Sequence, residues 1–297
     1  MPPILITLFI ALTVQVQVQA QAQAQAQATQ HYSYEILETR PQSRQNFVQG
    51  LQIVGDYLYV GTGLYGQSAI LRYRLDDGTL DASKAVSPQF FGEGITVVDD
   101  LLYQLTWKSR MLLVYRASDL TPQKWFQIPG EGWGITYNGE ALIYSDGSHN
   151  LHFLSPDTGN ISHSIEVMEH GEPVIRLNEL EWVDGKVWAN VWASNRIVII
   201  DPETGEVTGS IDLTGLLPAD QRQPGTDVLN GIAVNPENGD IWVTGKRWPA
   251  LYRIKLVPIE KTQIPVQTPV ESGPGTADEL PATSGHAEVL GNSSAVP

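Results

Sequence analysis

The chain contains no cysteine among its 297 residues, so it has no disulfide, no thiol nucleophile and no thiolate zinc ligand. Any metal ion would have to be held by His and carboxylate side chains alone. Cations are also scarce, since 18 Lys and Arg stand against 33 Asp and Glu and leave a formal net charge of −15 at pH 7. Nucleic-acid binding needs clustered cationic side chains opposite the phosphates, so we expect no nucleic-acid partner.

The two ends of the chain differ in composition from its middle. Residues 4–14 form a short apolar run, and a Gln/Ala ladder with small-residue cleavage sites follows it. Although no Lys or Arg precedes the run, it is typical of a secretory signal peptide and is too short to span a bilayer. We expect residues 1–30 to be a signal peptide and low-complexity segment, residues 31–258 to form the folded domain, and residues 259–297 to be a disordered tail. This organisation predicts a secreted or periplasmic protein without a stable membrane anchor.

A short phrase recurs five times in the middle of the chain, each time at the start of an apolar segment. The second residues of the phrases are 44, 40, 45 and 52 positions apart. A polar turn then leads into a second apolar segment, and a third follows in every unit. Short segments at this spacing, joined by Asp-Gly and Asn-Gly turns, are typical of β-hairpins. The five phrases are Gln49-Gly50-Leu51, Glu93-Gly94-Ile95, Trp133-Gly134-Ile135, Asn178-Glu179-Leu180 and Asn230-Gly231-Ile232.

These repeats predict an all-β fold, and more specifically a five-bladed β-propeller with four strands in each blade. A fourth strand follows in units one to four, but after unit five the chain reaches Pro258 and a Pro-rich tail. A lone strand-like segment at residues 32–39 precedes the first unit, and we expect this N-terminal strand to close the last blade. A β-sandwich with irregular strands is the alternative, but it does not account for the near-constant spacing.

The positions at which the repeats differ indicate where chemistry should lie. In a propeller blade, the start of the first strand and the end of the second strand meet at one rim of the central channel. The second strands end at Gly63, Trp107, Gly147, Trp192 and Lys246. These positions and the first residues of the phrases vary between units, and nearly all the variants are polar, charged or Trp. We infer a pocket at one channel mouth, walled by indoles and holding one carboxylate, one ammonium group and several amides.

A longer series of phrases runs in order through every unit, from about residue 46 to residue 254. The series comprises Asn46-Phe-Val-Gln-Gly-Leu51, Thr62-Gly-Leu-Tyr-Gly-Gln-Ser68, Phe91-Gly-Glu-Gly-Ile-Thr96, Leu105-Thr-Trp-Lys108, Glu131-Gly-Trp-Gly134, Leu177-Asn-Glu-Leu-Glu181, Ala189-Asn-Val-Trp192 and Val243-Thr-Gly-Lys-Arg-Trp-Pro249. It closely resembles the plant-type glutaminyl-peptide cyclotransferases, also called glutamine cyclotransferases. Val48 departs from the family, which more often has Thr there.

The resemblance implies a five-bladed propeller that converts an N-terminal glutamine of a peptide into pyroglutamate with release of ammonia, as an aminoacyltransferase. The expected partners are therefore peptides or proteins with an N-terminal Gln. We expect a monomer that needs no cofactor and no metal. A non-catalytic propeller that binds a ligand or a protein at the same mouth is the alternative, because fold alone does not decide function.

Glu93, Asn178 and Lys246 are the candidate catalytic residues. Cyclisation requires the α-amine to attack the side-chain carbonyl and the leaving NH2 to be protonated, and one carboxyl group can carry that proton. Glu93 is the only acid at the first position of a phrase, and desolvation among Trp side chains should raise its pKa. Asn178 and Lys246 are candidate donors to the oxyanion of the tetrahedral intermediate. The alternatives are a solvated turn carboxylate for Glu93 and a rim charge for Lys246.

The candidate substrate-binding residues are Phe47, Gln49, Trp107, Trp133 and Trp192. Gln49 would orient the substrate amine or amide, and the three indoles would enclose the reacting side chain and exclude water. Ordinary propeller core is the alternative for these indoles, and it is the interpretation that we favour for the other five tryptophans. Those five are Trp125, Trp182, Trp188, Trp242 and Trp248.

Four histidines in unit three raise the question of a zinc site. His149, His152, His163 and His170 fall on the outer strands and turns of that unit, where the alternation of strand residues separates them. Zinc needs three or four converging ligands, so we expect no metal site here.

Overall fold

The computed structural model describes residues 29–260. The expected signal peptide with its Gln/Ala ladder and nearly all of the expected tail lie outside the described residues. Within the described part, strands extend from Gln30 to Pro258, and the helical structure is limited to one short 3-10 turn, Ala219–Gln221. The all-β expectation is therefore confirmed. No helix in this part of the chain has the length and apolar character needed to cross a bilayer.

Short strands rich in Val, Ile, Leu and Tyr account for nearly all the regular structure, as their preference for a pleated surface predicts. Strand β1 (Gln30–Pro41) precedes the five units. Unit one comprises β2 (Val48–Val54), β3 (Tyr57–Thr62), β4 (Ala69–Arg74) and β5 (Leu80–Ala85). Unit two comprises β6 (Gly92–Val98), β7 (Leu101–Thr106), β8 (Met111–Arg116) and β9 (Pro122–Gln127). Unit three comprises β10 (Ile135–Tyr137), β11 (Leu142–Ser145), β12 (Asn150–Leu154) and β13 (Ile161–Glu166).

A two-stranded ribbon, β14 (Met168–Glu169) with β15 (Glu172–Pro173), connects units three and four. Unit four comprises β16 (Leu177–Val183), β17 (Lys186–Val191), β18 (Arg196–Ile200) and β19 (Val207–Asp212). Unit five comprises β20 (Leu229–Val234), β21 (Ile241–Gly245) and β22 (Ala250–Pro258). In each unit a short turn joins the first strand to the second. Asp184 and Gly185, between β16 and β17, both have positive φ, 47° and 76°, as a type I′ hairpin turn requires.

Strand β1 joins the last two units into one sheet. Units one, two and three are separate four-stranded sheets in chain order, whereas units four and five share an eight-stranded sheet with β1 between β19 and β22. β1 pairs with β22 antiparallel from Tyr32 opposite Pro258 to Pro41 opposite Ala250, and its first residues pair with β19 in parallel. The N-terminal strand therefore supplies the fourth strand that unit five lacks.

The first strands of the five units contact one another in a closed series. β2 contacts β6, β6 contacts β10, β10 contacts β16, β16 contacts β20, and β20 contacts β2 again. Five clusters of buried apolar side chains lie between consecutive units, the last of them between units five and one. That last cluster packs Leu51 and Val60 against Trp242 and Leu251. The core is thus divided among five interfaces around the first strands.

The tryptophans that we interpreted as core are not all buried. Trp188, Trp242 and Trp248 are buried, and Trp182 is half-buried against the cluster between units three and four. Trp125 is 62% exposed, so its assignment to the core is wrong. It lies on β9, the outermost strand of unit two, where the sheet ends and no further layer covers its side chain.

Candidate functional site

A β-bulge interrupts the pairing of the first two strands at the recurring phrase in four of the units. The register shifts between Val48 and Gly50, between Gly92 and Ile95, between Leu177 and Leu180, and between Leu229 and Ile232. Bulges redirect side chains and recur beside active sites. At these bulges Gln49, Glu93, Asn178 and Asn230 are each at most 1% exposed. The first residues of these four phrases are therefore buried.

The three candidate catalytic side chains are buried with unused hydrogen-bonding groups. Neither carboxyl oxygen of Glu93, neither polar atom of the Asn178 amide, nor Nζ of Lys246 has a hydrogen-bond partner among residues 29–260. Buried polar groups are nearly always satisfied, and an unsatisfied one costs about 1–3 kcal/mol. Their burial contradicts both alternatives, a solvated turn carboxylate for Glu93 and a rim charge for Lys246. This arrangement indicates a site for a polar ligand.

Glu93 and Lys246 interact electrostatically without a hydrogen bond between them. Burial raises the pKa of Glu93 well above its ordinary value; the Lys246 charge opposes this rise, and the Glu131 charge adds to it. Burial also lowers the pKa of Lys246 to about 8, against the opposing influence of Glu93 and Asp227. Burial therefore raises the pKa of the carboxyl group and lowers that of the ammonium group, so each side chain favours its uncharged form more than it would in water.

Gln49 is held by the phrase residue of the neighbouring unit. Nδ2 of Asn230 donates to Oε1 of Gln49 at 3.3 Å and to the carbonyl oxygen of Val48 at 3.0 Å. Oδ1 of Asn230 has no partner within the described part of the chain. The amide of Gln49 therefore has a fixed orientation.

Five aromatic side chains line the site, and we call them the aromatic wall: Phe47, Phe91, Trp107, Trp133 and Trp192. Phe91 is edge-on to Phe47, with ring centroids 6.2 Å apart, and to Trp107, with centroids 5.6 Å apart. Trp133 and Trp192 are edge-on to each other at 6.0 Å. Sequence reasoning identified four of these residues and missed Phe91, although Phe91 opens one of the family phrases.

Glycine residues at the ends of the second strands of units one and three leave room for the aromatic wall. A Cβ atom at Gly147 would lie 2.5 Å from Cζ2 of Trp133, and Gly147 has a φ of +82°, which L side chains rarely adopt. A Cβ atom at Gly63 would collide with the ring of Phe91. The variation between repeats at these two positions is therefore steric in origin.

Glu131, which sequence reasoning missed, joins the two halves of the aromatic wall. Its Oε2 accepts hydrogen bonds from Nε1 of Trp107 at 2.7 Å and from Nε1 of Trp133 at 3.1 Å. Hydrogen bonds to an ionised carboxylate are stronger than neutral ones, so this oxygen fixes both indoles. A sequence signal was available, because Glu131 is the only acid at the position that precedes the first phrase residue by two. The residues two positions before the phrases are Phe47, Phe91, Glu131, Arg176 and Val228.

Two further buried carboxyl groups lie along β16 and are hydrogen-bonded to backbone. Glu179 accepts from the N–H of Leu51 at 3.1 Å and from the N–H of Ile232 at 2.8 Å, and so joins unit four to units one and five. Glu181 accepts from the N–H of Val234 at 3.0 Å. Burial raises the pKa of both groups, that of Glu181 to about 8. Glu179 stands where the other four phrases have Gly, which was a sequence signal for it.

The histidines of unit three have other partners. Nε2 of His152 lies 3.0 Å from a carboxylate oxygen of Asp146, and the ring of His163 stacks on Phe153 with centroids 4.2 Å apart. In residues 29–260, no group of three or more His, Cys, Asp or Glu side chains is placed to hold a metal ion. Metal independence stays a prediction.

The chain is thus an all-β protein in which buried carboxyl, ammonium and amide groups lie among aromatic rings and offer a site for a polar ligand. A family model described as glutamine cyclotransferase matches residues 8–256, so the chain belongs to the glutamine cyclotransferase family. The resemblance found in the sequence is confirmed.

Two individual proteins agree with this assignment. A glutaminyl-peptide cyclotransferase of Arabidopsis thaliana is 38% identical over 228 residues, which cover 75% of this chain and 71% of that protein. The crystal structure of Myxococcus xanthus glutaminyl cyclase is 32% identical and superimposes with a TM-score of 0.73, covering 78% of this chain and 100% of the other.

Proposed function

We propose that this protein cyclises the N-terminal glutamine of peptides or proteins to pyroglutamate and releases ammonia, an aminoacyl transfer. The observation that carries the proposal is the buried Glu93 carboxyl group, without a hydrogen-bond partner in residues 29–260 and in electrostatic contact with Lys246. Membership of the glutamine cyclotransferase family and two relatives named for this activity support it. A purely binding protein is not favoured, because binding alone gives no reason to bury a titratable group unpaired.

The first step joins the two ends of the substrate residue. The α-amine nitrogen attacks the side-chain carbonyl carbon, a C–N bond forms, and Glu93 accepts the proton that the amine loses. The raised pKa of Glu93 makes its carboxylate a stronger base than an ordinary glutamate. The enzyme supplies no nucleophile, because the substrate carries its own, and close confinement of the two reacting groups accounts for much of the acceleration.

The second step expels ammonia. The bond between the former carbonyl carbon and the side-chain nitrogen breaks, and Glu93 returns its proton to that nitrogen as it leaves. Between the steps the carbonyl oxygen carries negative charge. Asn178 and Lys246 donate hydrogen bonds to it, and Lys246 is charged at pH values below its pKa of about 8.

Gln49 and the aromatic wall position the substrate. Gln49, fixed by Asn230, orients the substrate amine or amide. Phe47, Trp107, Trp133 and Trp192 enclose the reacting side chain and exclude water, which disfavours hydrolysis to glutamate.

The architecture proposed for this activity is a five-bladed β-propeller closed by the N-terminal strand β1. The closed series of contacts between first strands, the five apolar interfaces and the pairing of β1 with β22 support it. We further propose a signal peptide and low-complexity segment at residues 1–30, a catalytic domain at residues 31–258 and a tail at residues 259–297. The protein would be secreted or periplasmic, monomeric, free of a stable membrane anchor, and independent of metals and cofactors.

The direct test follows ammonia and pyroglutamate with a Gln-initiated peptide, beside the same peptide with an acetylated α-amine. We expect both products from the free peptide and neither from the acetylated one. Absence of both products from any Gln-initiated peptide, with folded protein, would contradict the proposed function.

Metal independence has a separate test. Dialysis against a strong chelator should leave the rate unchanged, because the proposed steps use only Glu93, Asn178, Lys246 and Gln49. An activity that is lost on chelation and restored by zinc would contradict it.

A further inference from the structure

Three cationic side chains lie over the aromatic wall. Nζ of Lys108 is 3.9 Å from the ring centroid of Trp107. The guanidinium carbon of Arg176 is 5.7 Å from the ring of Trp192, and that of Arg247 is 5.9 Å from the ring of Phe47. Lys108 and Arg176 are exposed and Arg247 is partly exposed, so their charges face solvent at the site. We call these three residues the cationic rim.

The cationic rim has no acidic counterpart in the described structure. Seven arginine or lysine side chains elsewhere in residues 29–260 form ion pairs with Asp or Glu, whereas none of the three rim residues does. The acids near the wall are otherwise engaged. Glu131 accepts from two indoles, and Asp227 accepts from the N–H of Val228 and interacts with buried Lys246. The rim charges therefore remain available to a ligand.

The backbone holds two rim residues in an uncommon conformation. Arg176 has a φ of 66° and Arg247 a φ of 58°, in the left-handed region that few non-glycine residues adopt. Both are anchored by backbone hydrogen bonds, since Arg176 receives one from Trp192 at 2.8 Å and Arg247 donates one to Asn46 at 2.8 Å. Backbone strain of this kind persists where the surrounding structure enforces it, and it clusters at functional sites.

We infer that the cationic rim binds a carboxylate carried by the residues that follow the N-terminal glutamine, so that acidic peptides are the favoured substrate class. A glutamine enclosed by the aromatic wall leaves the next residues of its peptide at the rim. The whole chain carries a net charge of −15, which disfavours an acidic peptide at long range. A local group of unpaired cations reverses the sign of the field where that peptide enters. This inference rests on the proposed cyclisation.

The experiment compares three amidated peptides, Gln-Glu-Glu, Gln-Ala-Ala and Gln-Lys-Lys, at low and high salt. For the acidic peptide we expect kcat/KM to exceed that of the neutral peptide by about fivefold to tenfold at low salt, chiefly through a lower KM, and to converge with it at high salt. The combined variant Lys108→Gln, Arg176→Gln, Arg247→Gln should reduce this ratio to below about twofold. Lys124→Gln is the matched control, because Nζ of Lys124 lies 4.9 Å from the ring of Phe126 on the outer strand β9, and it should leave the ratio unchanged.

Equal kcat/KM for the acidic and neutral peptides at low salt would overturn the inference. So would an acidic preference that survives in the triple variant. Both outcomes leave the proposed function intact, since the neutral peptide is still cyclised. Failure of the wild-type protein to cyclise any of the three peptides would instead contradict the proposed function.

Discussion

Buried glutamates occur in two regions of this molecule, and their hydrogen bonds differ. Glu179 and Glu181 accept hydrogen bonds from backbone N–H groups of other units. Glu93 is buried just as fully, yet both of its carboxyl oxygens lack a partner in the described structure. Burial raises the pKa of all three. The raised pKa therefore does not distinguish Glu93 from the two hydrogen-bonded glutamates, whereas the hydrogen-bonding state of the carboxyl oxygens does.

The difference between the two kinds of buried carboxyl group has a physical basis. A carboxyl group whose oxygens are used by backbone N–H groups holds strands together and has little capacity left for a substrate. A carboxyl group without partners costs stability in the folded state and recovers it when a polar ligand binds.

The largest effect is expected on stability, at Glu179. Glu179→Ala leaves the N–H groups of Leu51 and Ile232 without their acceptor, and we expect a loss of about 2–5 kcal/mol in the free energy of unfolding. Urea denaturation measures it. Glu179→Gln is the control, because its amide oxygen can still accept one of the two hydrogen bonds and should reduce the loss. A stability equal to wild type in Glu179→Ala would show that the carboxyl group does not join the units.

Lys246 should control the alkaline side of the pH–rate profile. Activity should fall as pH rises through about 8, because the ammonium group loses its proton there and no longer stabilises the oxyanion. Lys246→Met should lower the rate about 100-fold, the scale of a removed oxyanion donor. Lys246→Arg keeps its charge and should show no fall near pH 8. An alkaline fall that persists unchanged in Lys246→Arg would assign it to another group.

Glu181 should make folding stability depend on pH. Its folded pKa, about 8, is above the ordinary value of 4.5, so the stability linked to this group is fully present below about pH 4.5 and is lost as pH rises through about 8. We expect wild type to lose about 3–4 kcal/mol more than Glu181→Gln between pH 5 and pH 9. Parallel urea denaturation at the two pH values provides the measurement, and identical losses in both proteins would contradict the assignment.

The smallest effect is expected at Glu131. Glu131→Leu removes the shared acceptor of Trp107 and Trp133, and the loss of both hydrogen bonds should lower kcat/KM by at least about tenfold. Glu131→Gln keeps an acceptor oxygen but removes the charge that raises the pKa of Glu93, so the acidic limb of its pH–rate profile should move to lower pH. Glu140→Gln, in an exposed turn of the same unit, is the control. A profile that does not move in Glu131→Gln would contradict the electrostatic coupling.

The repeat in the sequence predicts the strands of the five units and several of the residues that are buried at the phrases. Five phrases at near-constant spacing placed the hairpins, and their variable first residues included Glu93, Asn178 and Gln49. The roles that the repeat did not predict, those of Glu179 and Glu131, depend on contacts between units. The partners of Glu179 belong to units one and five, and Glu131 binds an indole of unit two, so neither role is visible within one repeat.

Trp125 was predicted to be buried, and the structure shows it exposed. A large apolar residue on a strand predicts burial, but burial also requires a layer that covers the strand. Trp125 lies on β9, the last strand of its sheet, which no further layer covers, so its side chain stays exposed. The bulges at the phrases were missed for a related reason, because they change the register between strands without interrupting the apolar pattern.

We propose that Glu93 carries the proton and that the hydrogen-bonded glutamates do not. The most direct measurement is the single-turnover rate of pyroglutamate formation in Glu93→Gln and Glu181→Gln, with one Gln-initiated peptide at one pH and with folding verified for both. We expect a loss of at least about 100-fold for Glu93→Gln and a rate within about twofold of wild type for Glu181→Gln. Near-wild-type turnover by folded Glu93→Gln, or an equal loss in both variants, would contradict it.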